Sequence, residues 1–529
     1  MKKKPRRKSN KSSIKQKLFR DRNISGLEAH HREGKTLRTP LNKLPGGVQN
    51  PHSWTDECIP NVLWACILAS QLERSEYLAL FRHVDINAKE CLTRPDDNFI
   101  THNYLSLLDR ESFKTIFAQV LTNERACKAL SALRLLDCLP DKGHWAECIP
   151  APSADEGWQT LAAAVSDTFD HQSEKSTDIR WLKLMYLLIS GRVNVAEALM
   201  PRIEEFRLFP DKGDMRQVRP SIRAFEIAFR DFEFGDTKID GISLPPNHGP
   251  EFWVEMKTKT QCIMVKEFEP PQRAPRELAQ EVADVMRKLQ DHFIETSVTT
   301  APDPRHDGSF GLALYAISLL LNLSTGFHHG TVEGRIVLRS VVEALITLTY
   351  LAKKDEQGLW SQYRRYGSGQ AKLAFLKNIR EKETPAFVDL KLIERLANED
   401  MWMEFQDIHV GNWANLTLRG MAQDGGVKDV YDKHYDWASG YAHGQWICVR
   451  DAVFVNCVNP LHRFHRIPGV PIATMPSVLP DACSLVNRIL ETLNKLYPSF
   501  KARIKWHNRT DVSHSAGVSS DSSPAEPNT

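Results

Sequence analysis

The chain has 529 residues, is 42% hydrophobic and 26% charged, and carries a net charge of +3. That length exceeds one ordinary core, and the composition is that of a soluble globular protein rather than a fibrous or disordered one. The longest apolar run, Phe310 to Leu323, falls short of a membrane span and ends in Ser324 and Thr325, so no membrane segment is expected.

The charge is unevenly placed. Residues 1–43 hold 15 Lys and Arg against three acids, a local charge of +12, which leaves the remaining chain at −9. Such a like-charge run predicts a disordered basic arm over 1–43, either a tether to RNA, DNA or another polyanion or a solubilising tail. No apolar stretch follows it, so it does not read as a secretory signal. The ten cysteines contain no CxxC pair and read as reduced thiols of a cytoplasmic protein.

Leu44-Pro45-Gly46-Gly47 closes the arm, and an N-terminal helical domain is expected over 44–268. Thr55 or Asp56 can cap a helix through Ile59–Leu72. Helical patterns recur at Glu73–Val84, Tyr104–Leu121, Glu124–Leu136, Trp158–Phe169, Asp178–Ile189 and from Val193 toward Phe206. They predict an irregular helical bundle or solenoid, without a repeat of fixed period and with charges on solvated faces. Phe252–Phe268, with Val254, Ile263 and Val265, predicts a small hairpin.

A second helical domain is expected over 269–505, followed by a disordered tail over 506–529. It opens with an amphipathic helix, Pro275–Glu295, then an apolar helix from Phe310. Arg335–Ala352 is apolar nearly all round, which predicts a buried helix, yet it carries Arg339, Glu343 and Thr347 at four-residue spacing. Leu359–Leu376 includes Tyr363, Arg364 and Arg365, which form either a nucleic-acid contact or a solvated face. Val388–Asn398 and Ser477–Tyr497 complete the helices. The fold class is all-α.

Val427–Trp446, read as one helix that Gly440 and Gly444 kink or end, aligns Tyr431, Tyr435, Ser439 and His443 on one face. Ionised groups in a buried helix need partners, so Arg339 and Glu343 are expected within reach of this row. Phenol, hydroxyl and imidazole in line can bind a ligand or carry a proton. The alternative is a structural ion pair and a satisfied core histidine. Cys448, Cys457, His462 and His465 are zinc-ligand types, but Pro460 and the flanking Arg463 and Arg466 favour an irregular anion-facing loop, so no metal is expected. Ala438-Ser439-Gly440 is not a GxSxG elbow, and Gly367–Lys372 lacks the GK[ST] ending of a phosphate loop.

Three pieces, the Arg339-x-x-x-Glu343 helix, the Tyr-rich segment after Trp360 and Ser439-x-x-x-His443-Gly444, resemble a bacterial helical family, domain of unknown function 5677, over about residues 275–455. No family is recognised for 50–265. The helical arrangement is similar to HEPN domains, many of which are RNases. The resemblance therefore implies an RNA-directed effector of a toxin or phage-defence system, working as a metal-independent ribonuclease without cofactor. His443 would be the general acid or base, Arg339 the phosphate clamp and Glu343 the orienting carboxylate, with Tyr435, Ser439, Tyr363, Arg364 and Arg365 on the substrate. The candidate partners are RNA held through the arm, a second copy of the chain, and an antitoxin or defence protein. The HEPN hallmark places Arg four to six residues before His in one helix; no Arg precedes His443 at that spacing. A non-catalytic binding or scaffolding module with a buried polar network is the other reading.

Overall fold

The structure, a computed structural model, describes residues 27–38, 52–92, 99–191, 200–212, 215–234, 247–264, 272–469 and 474–506. The expected tail and most of the arm lie outside these. Residues 27–38 form a turn and a two-stranded antiparallel hairpin, β1 (His31–Glu33) and β2 (Thr36–Arg38), where the sequence predicts disorder. Gly34 makes its turn at φ +57°.

Most of the other described residues are helical, and the chain divides into two compact units. One comprises residues 1–265 with 456–466, the other 266–455 with 467–529. The loop 456–466, placed in the second domain by the sequence, thus groups with the first unit.

After the hairpin, the helices of the first unit start with a π-helical turn, Trp54–Cys58, which Ser53 rather than Thr55 or Asp56 caps by accepting the Asp56 amide. Helix α1 (Leu63–Gln71) is buried all round, and α2 (Arg74–Cys91) runs well past Val84. The expected helix Tyr104–Leu121 is three short ones, because Asp109 caps a new start by accepting the Glu111 and Ser112 amides. Helix α3 (Ala154–Phe169) packs on α1, and α4 (Glu174–Ile189), capped by Ser173, packs on α2 and on α5 (Met215–Phe234). The expected hairpin is instead helix α6 (Gly249–Lys259), with Pro250 in its first turn and Phe252 and Met256 buried four residues apart.

The charges of α4 and α5 are not all solvated. Arg180, Lys183, Glu226, Arg230 and Glu233 are each at most 6% exposed. Lys183 Nζ lies 2.7 Å from Glu226 and 2.6 Å from Glu233, and Arg230 donates to both oxygens of Glu226. Arg180 stacks on Trp54 at 4.4 Å. Burial works against the Glu226 carboxylate, but Lys183 and Arg230 outweigh it and hold its pKa down at about 2. Burial raises Glu233.

In the second unit α7 (Arg276–Thr296) turns Leu278, Val282, Val285 and Leu289 inward. Helix α8 (Pro304–Ser324), started by Asp303, is long and apolar enough to cross a membrane, but Phe310, Ala313, Ile317 and Leu320 pack into the unit's core. Helix α9 (Val332–Lys354) is the centre, and α10 (Gln357–Asn378) comes next. Helix α11 (Leu418–Gly425), α12 (Asp436–Ala442) and α14 (Leu479–Leu496) all pack on α9; α13 (Trp446–Val453) precedes a short ribbon of β3 (Phe454–Asn456) and β4 (Arg466–Pro468). Helix α9 is not buried all round: Ile336 is 41% exposed, and Arg339 and Glu343 lie on a half-buried stripe.

Candidate functional site

The segment expected as one helix over Val427–Trp446 is in pieces. A turn at Lys428–Val430 leads into a π-helical turn, Tyr431–Tyr435, then α12, and Gly444 at φ +59° ends the run. Within the π turn, Tyr431 and Tyr435 stack with centroids 4.9 Å apart. Such turns insert a residue into the helical ladder and rotate the facing of the next helical residues.

Helix α9 meets this segment antiparallel. Arg339 Nη2 donates to the Tyr435 hydroxyl at 3.2 Å and pairs with Glu343 at 3.0 Å, its guanidinium 5.4 Å from the Tyr435 ring centre. Burial works against the Arg339 charge, yet Tyr435 and Glu343 outweigh it and raise its pKa. One turn earlier on α9, Arg335 lies by Tyr441, whose hydroxyl donates to Asp451 at 2.6 Å. Burial, then Asp451, pushes the Tyr441 phenol up to about 12. Arg335 is buried and donates to the carbonyls of Thr331 and Pro476 at 3.2 and 2.6 Å, so it pins the loops before α9 and α14. Arg335 was not among the residues the sequence singles out, although it continues the four-residue row of Arg339 and Glu343.

The antiparallel pairing separates the predicted residues. Arg339, Glu343 and Tyr435 come together, whereas His443, eight residues beyond Tyr435, lies roughly 12 Å further along the helix. Ser439 is half-buried and His443 exposed. Neither side chain has a hydrogen-bond partner among the described residues.

Tyr363, Arg364 and Arg365 sit elsewhere in the unit. Arg364 is gripped by Asp307, by Glu399 at 3.2 Å and by Asp400 at 2.5 Å, which neutralises the cation expected to face a substrate. Tyr363 packs edge-on against Trp413 at 5.1 Å. Arg365 is exposed and lines an open groove of about 590 Å³ with Tyr366, Phe405 and His409.

The four metal-ligand types also separate. Cys448 belongs to a small cluster with Tyr441 and Met475 in the second unit. Cys457, His462 and His465 come together with Cys262 in the first. Arg463 pairs with Asp56 and lies over Trp253 at 5.6 Å, so it does not face a free anion. Burial, the neighbouring imidazole and Lys257 hold His462 below its ordinary pKa; burial, Lys257 and Arg466 do the same for His465.

Comparison with known proteins finds no match among curated proteins or solved structures. Residues 309–456, from α8 through β3 and including Arg339, Tyr435 and His443, match the model of a family of unknown function, DUF5677. All but the last residue of that match lie in the second unit, which is thus similar to DUF5677 over this stretch.

Proposed function

We propose that the DUF5677-like domain is a binding or scaffolding module in which Arg339, Glu343 and Tyr435 fix the register of α9 against the 431–442 segment. One observation carries this reading. Arg339 already donates to Tyr435 and Glu343, while His443 lies roughly 12 Å along the helix. A general acid or base and a phosphate clamp must converge on one reacting group. The surface offered to a partner centres on α12 and α13, where Trp437, Trp446 and Ile447 are 54%, 58% and 47% exposed. Large exposed aromatic side chains mark recognition patches.

A second reading keeps the domain as the nuclease of an RNA-directed effector, in a toxin or phage-defence setting with the basic arm holding RNA. It is supported by the exposed imidazole of His443 and the half-buried guanidinium of Arg339 in one domain. Wild type, Arg339→Ala and His443→Ala, each checked for helicity by circular dichroism, separate the two. The module reading expects no RNA cleavage from any of them, a lowered melting temperature for Arg339→Ala and an unchanged one for His443→Ala. RNA cleavage and growth arrest by wild type, lost in both folded variants, would replace it with the nuclease.

A further inference from the structure

We propose that Cys262, Cys457, His462 and His465 form a structural zinc site in the first unit. The four residues lie within one unit, although 195 positions separate Cys262 from Cys457. Each offers a ligand atom, and all four atoms lie within 4.8 Å of one another. Bond lengths of about 2.3 Å to sulfur and 2.0–2.1 Å to nitrogen give a zinc tetrahedron edges of roughly 3.3–3.8 Å. Cys262 Sγ is 3.3 Å from His465 Nε2, and Cys457 Sγ is 3.6 Å from His462 Nδ1. Two edges are thus already at length, and the remaining contraction is at most about 1.5 Å.

The surroundings orient the ligands. Thr260 Oγ1 donates its one proton to the Met256 carbonyl at 2.8 Å, so at 2.9 Å it must accept from His462 Nε2. That network assigns the His462 proton to Nε2 and leaves the Nδ1 lone pair facing Cys457. A second ring nitrogen anchored in this way is the usual support of a ligating histidine. Asn459 holds Thr260 from the other side, donating to its Oγ1 and to the Gln261 carbonyl. The Ile263 amide donates to Cys457 Sγ at 3.3 Å, and Lys257 Nζ lies 3.1 Å from Cys262 Sγ. Both N–H groups are directed at the sulfurs that a metal would bind. Between the histidines, Arg463 and Phe464 take φ of +54° and +46°. This left-handed turn brings His465 back toward His462, with ring centroids 5.2 Å apart.

Two thiolates and two imidazoles in a closed set suit a structural Zn2+ rather than a catalytic one, which keeps a position open. The ion would join the end of the α6 segment to the 456–466 loop. Metal binding replaces the two thiol protons, which leave to solvent, and no oxidant is involved.

The test uses the full-length chain without a histidine tag, purified from zinc-supplemented medium under reducing conditions. Elemental analysis should give about one zinc per chain. After exchange into Co2+, the reduced chain should show the visible bands of tetrahedral thiolate-ligated cobalt. Cys262→Ser alters an exposed residue and should weaken zinc binding by about 100-fold or more while retaining helicity. His465→Gln provides the same readout if Cys262→Ser does not fold. A zinc content near zero with no cobalt bands in the folded wild type would overturn the site. So would a Cys262–Cys457 disulfide in freshly isolated protein, or zinc retained undiminished in a folded variant.

Discussion

Lys183→Met is the sharpest probe of the first unit. Lys183 is 2% exposed and donates to Glu226 and Glu233 together. Its removal leaves Glu226 with Arg230, but Glu233 loses the hydrogen bond to one oxygen while the other is already without a partner. Breaking one side of a buried ion pair costs about 3–5 kcal/mol. For a unit of this size that is a fall of roughly 6–20 °C in melting temperature. The pH dependence gives a second readout. Burial raises Glu233 above its usual range even in the wild type, and losing Lys183 raises it further. A carboxyl whose folded pKa is raised stabilises below its unfolded pKa of about 4.5 and loses that contribution as pH rises through the folded value. The variant should therefore lie closer to wild type at pH 5 than at pH 8. Lys183→Met combined with Glu233→Gln removes the orphaned charge and should recover about 1 kcal/mol or more at pH 8. Urea unfolding followed by circular dichroism measures all three proteins. A single variant within 0.5 M urea of wild type, counted as about 1 kcal/mol, or a double variant less stable than the single, would refute the reasoning.

Three further outcomes are expected. Gly440→Ala places a Cβ 2.6 Å from Cys448 Sγ, so it should cost about 1–3 kcal/mol, and Cys448→Ala should restore most of that in the double variant; equal stability of both single and double variants would contradict it. Arg364→Met leaves Asp400, whose side chain is 12% exposed, with Ser368 but without its cation, and should lower stability by about 2 kcal/mol in thermal melts; no change would mean the cluster is effectively solvated. Burial, then His102, pushes His248 down to about 4, so its contribution is full above the unfolded pKa of about 6.5 and is lost as pH falls toward 4. His248→Gln should flatten the acid limb by about 3 kcal/mol, and identical stability profiles between pH 7 and 4.5 would remove His248 from that role.

The long helices of the second unit are readable because their apolar residues recur with helical period: α7, α8, α9 and α14 all lie where that pattern places them. The Arg339–Glu343 pairing and its reach to Tyr435 obey the same four-residue spacing. What spacing cannot supply is direction. The antiparallel course of α9 against α12 brings Arg335, not Arg339, beside Tyr441, and so moves His443 away from the expected centre. Nor does a sequence reveal which charges are buried. The charges of the first domain read as solvated faces, yet Glu226, Arg230 and Glu233 meet Lys183 and Arg180 of α4 in the interior. Cys262 is invisible to spacing, because 195 positions part it from the ligand types it meets in space.

The inclusion of 456–466 in the first unit has a consequence for how the protein is made. Synthesis delivers residue 265 long before residue 456, with the 190 residues of 266–455 between them. At ordinary elongation rates that interval is roughly 10–40 s. Throughout it Leu461, which packs into the first core, is absent, and Cys262 waits without Cys457. The first unit, although it emerges first, can therefore be completed only after 266–455 of the second has been made, and a fragment ending at residue 265 should be released from a ribosome less stable than the same residues in the finished chain.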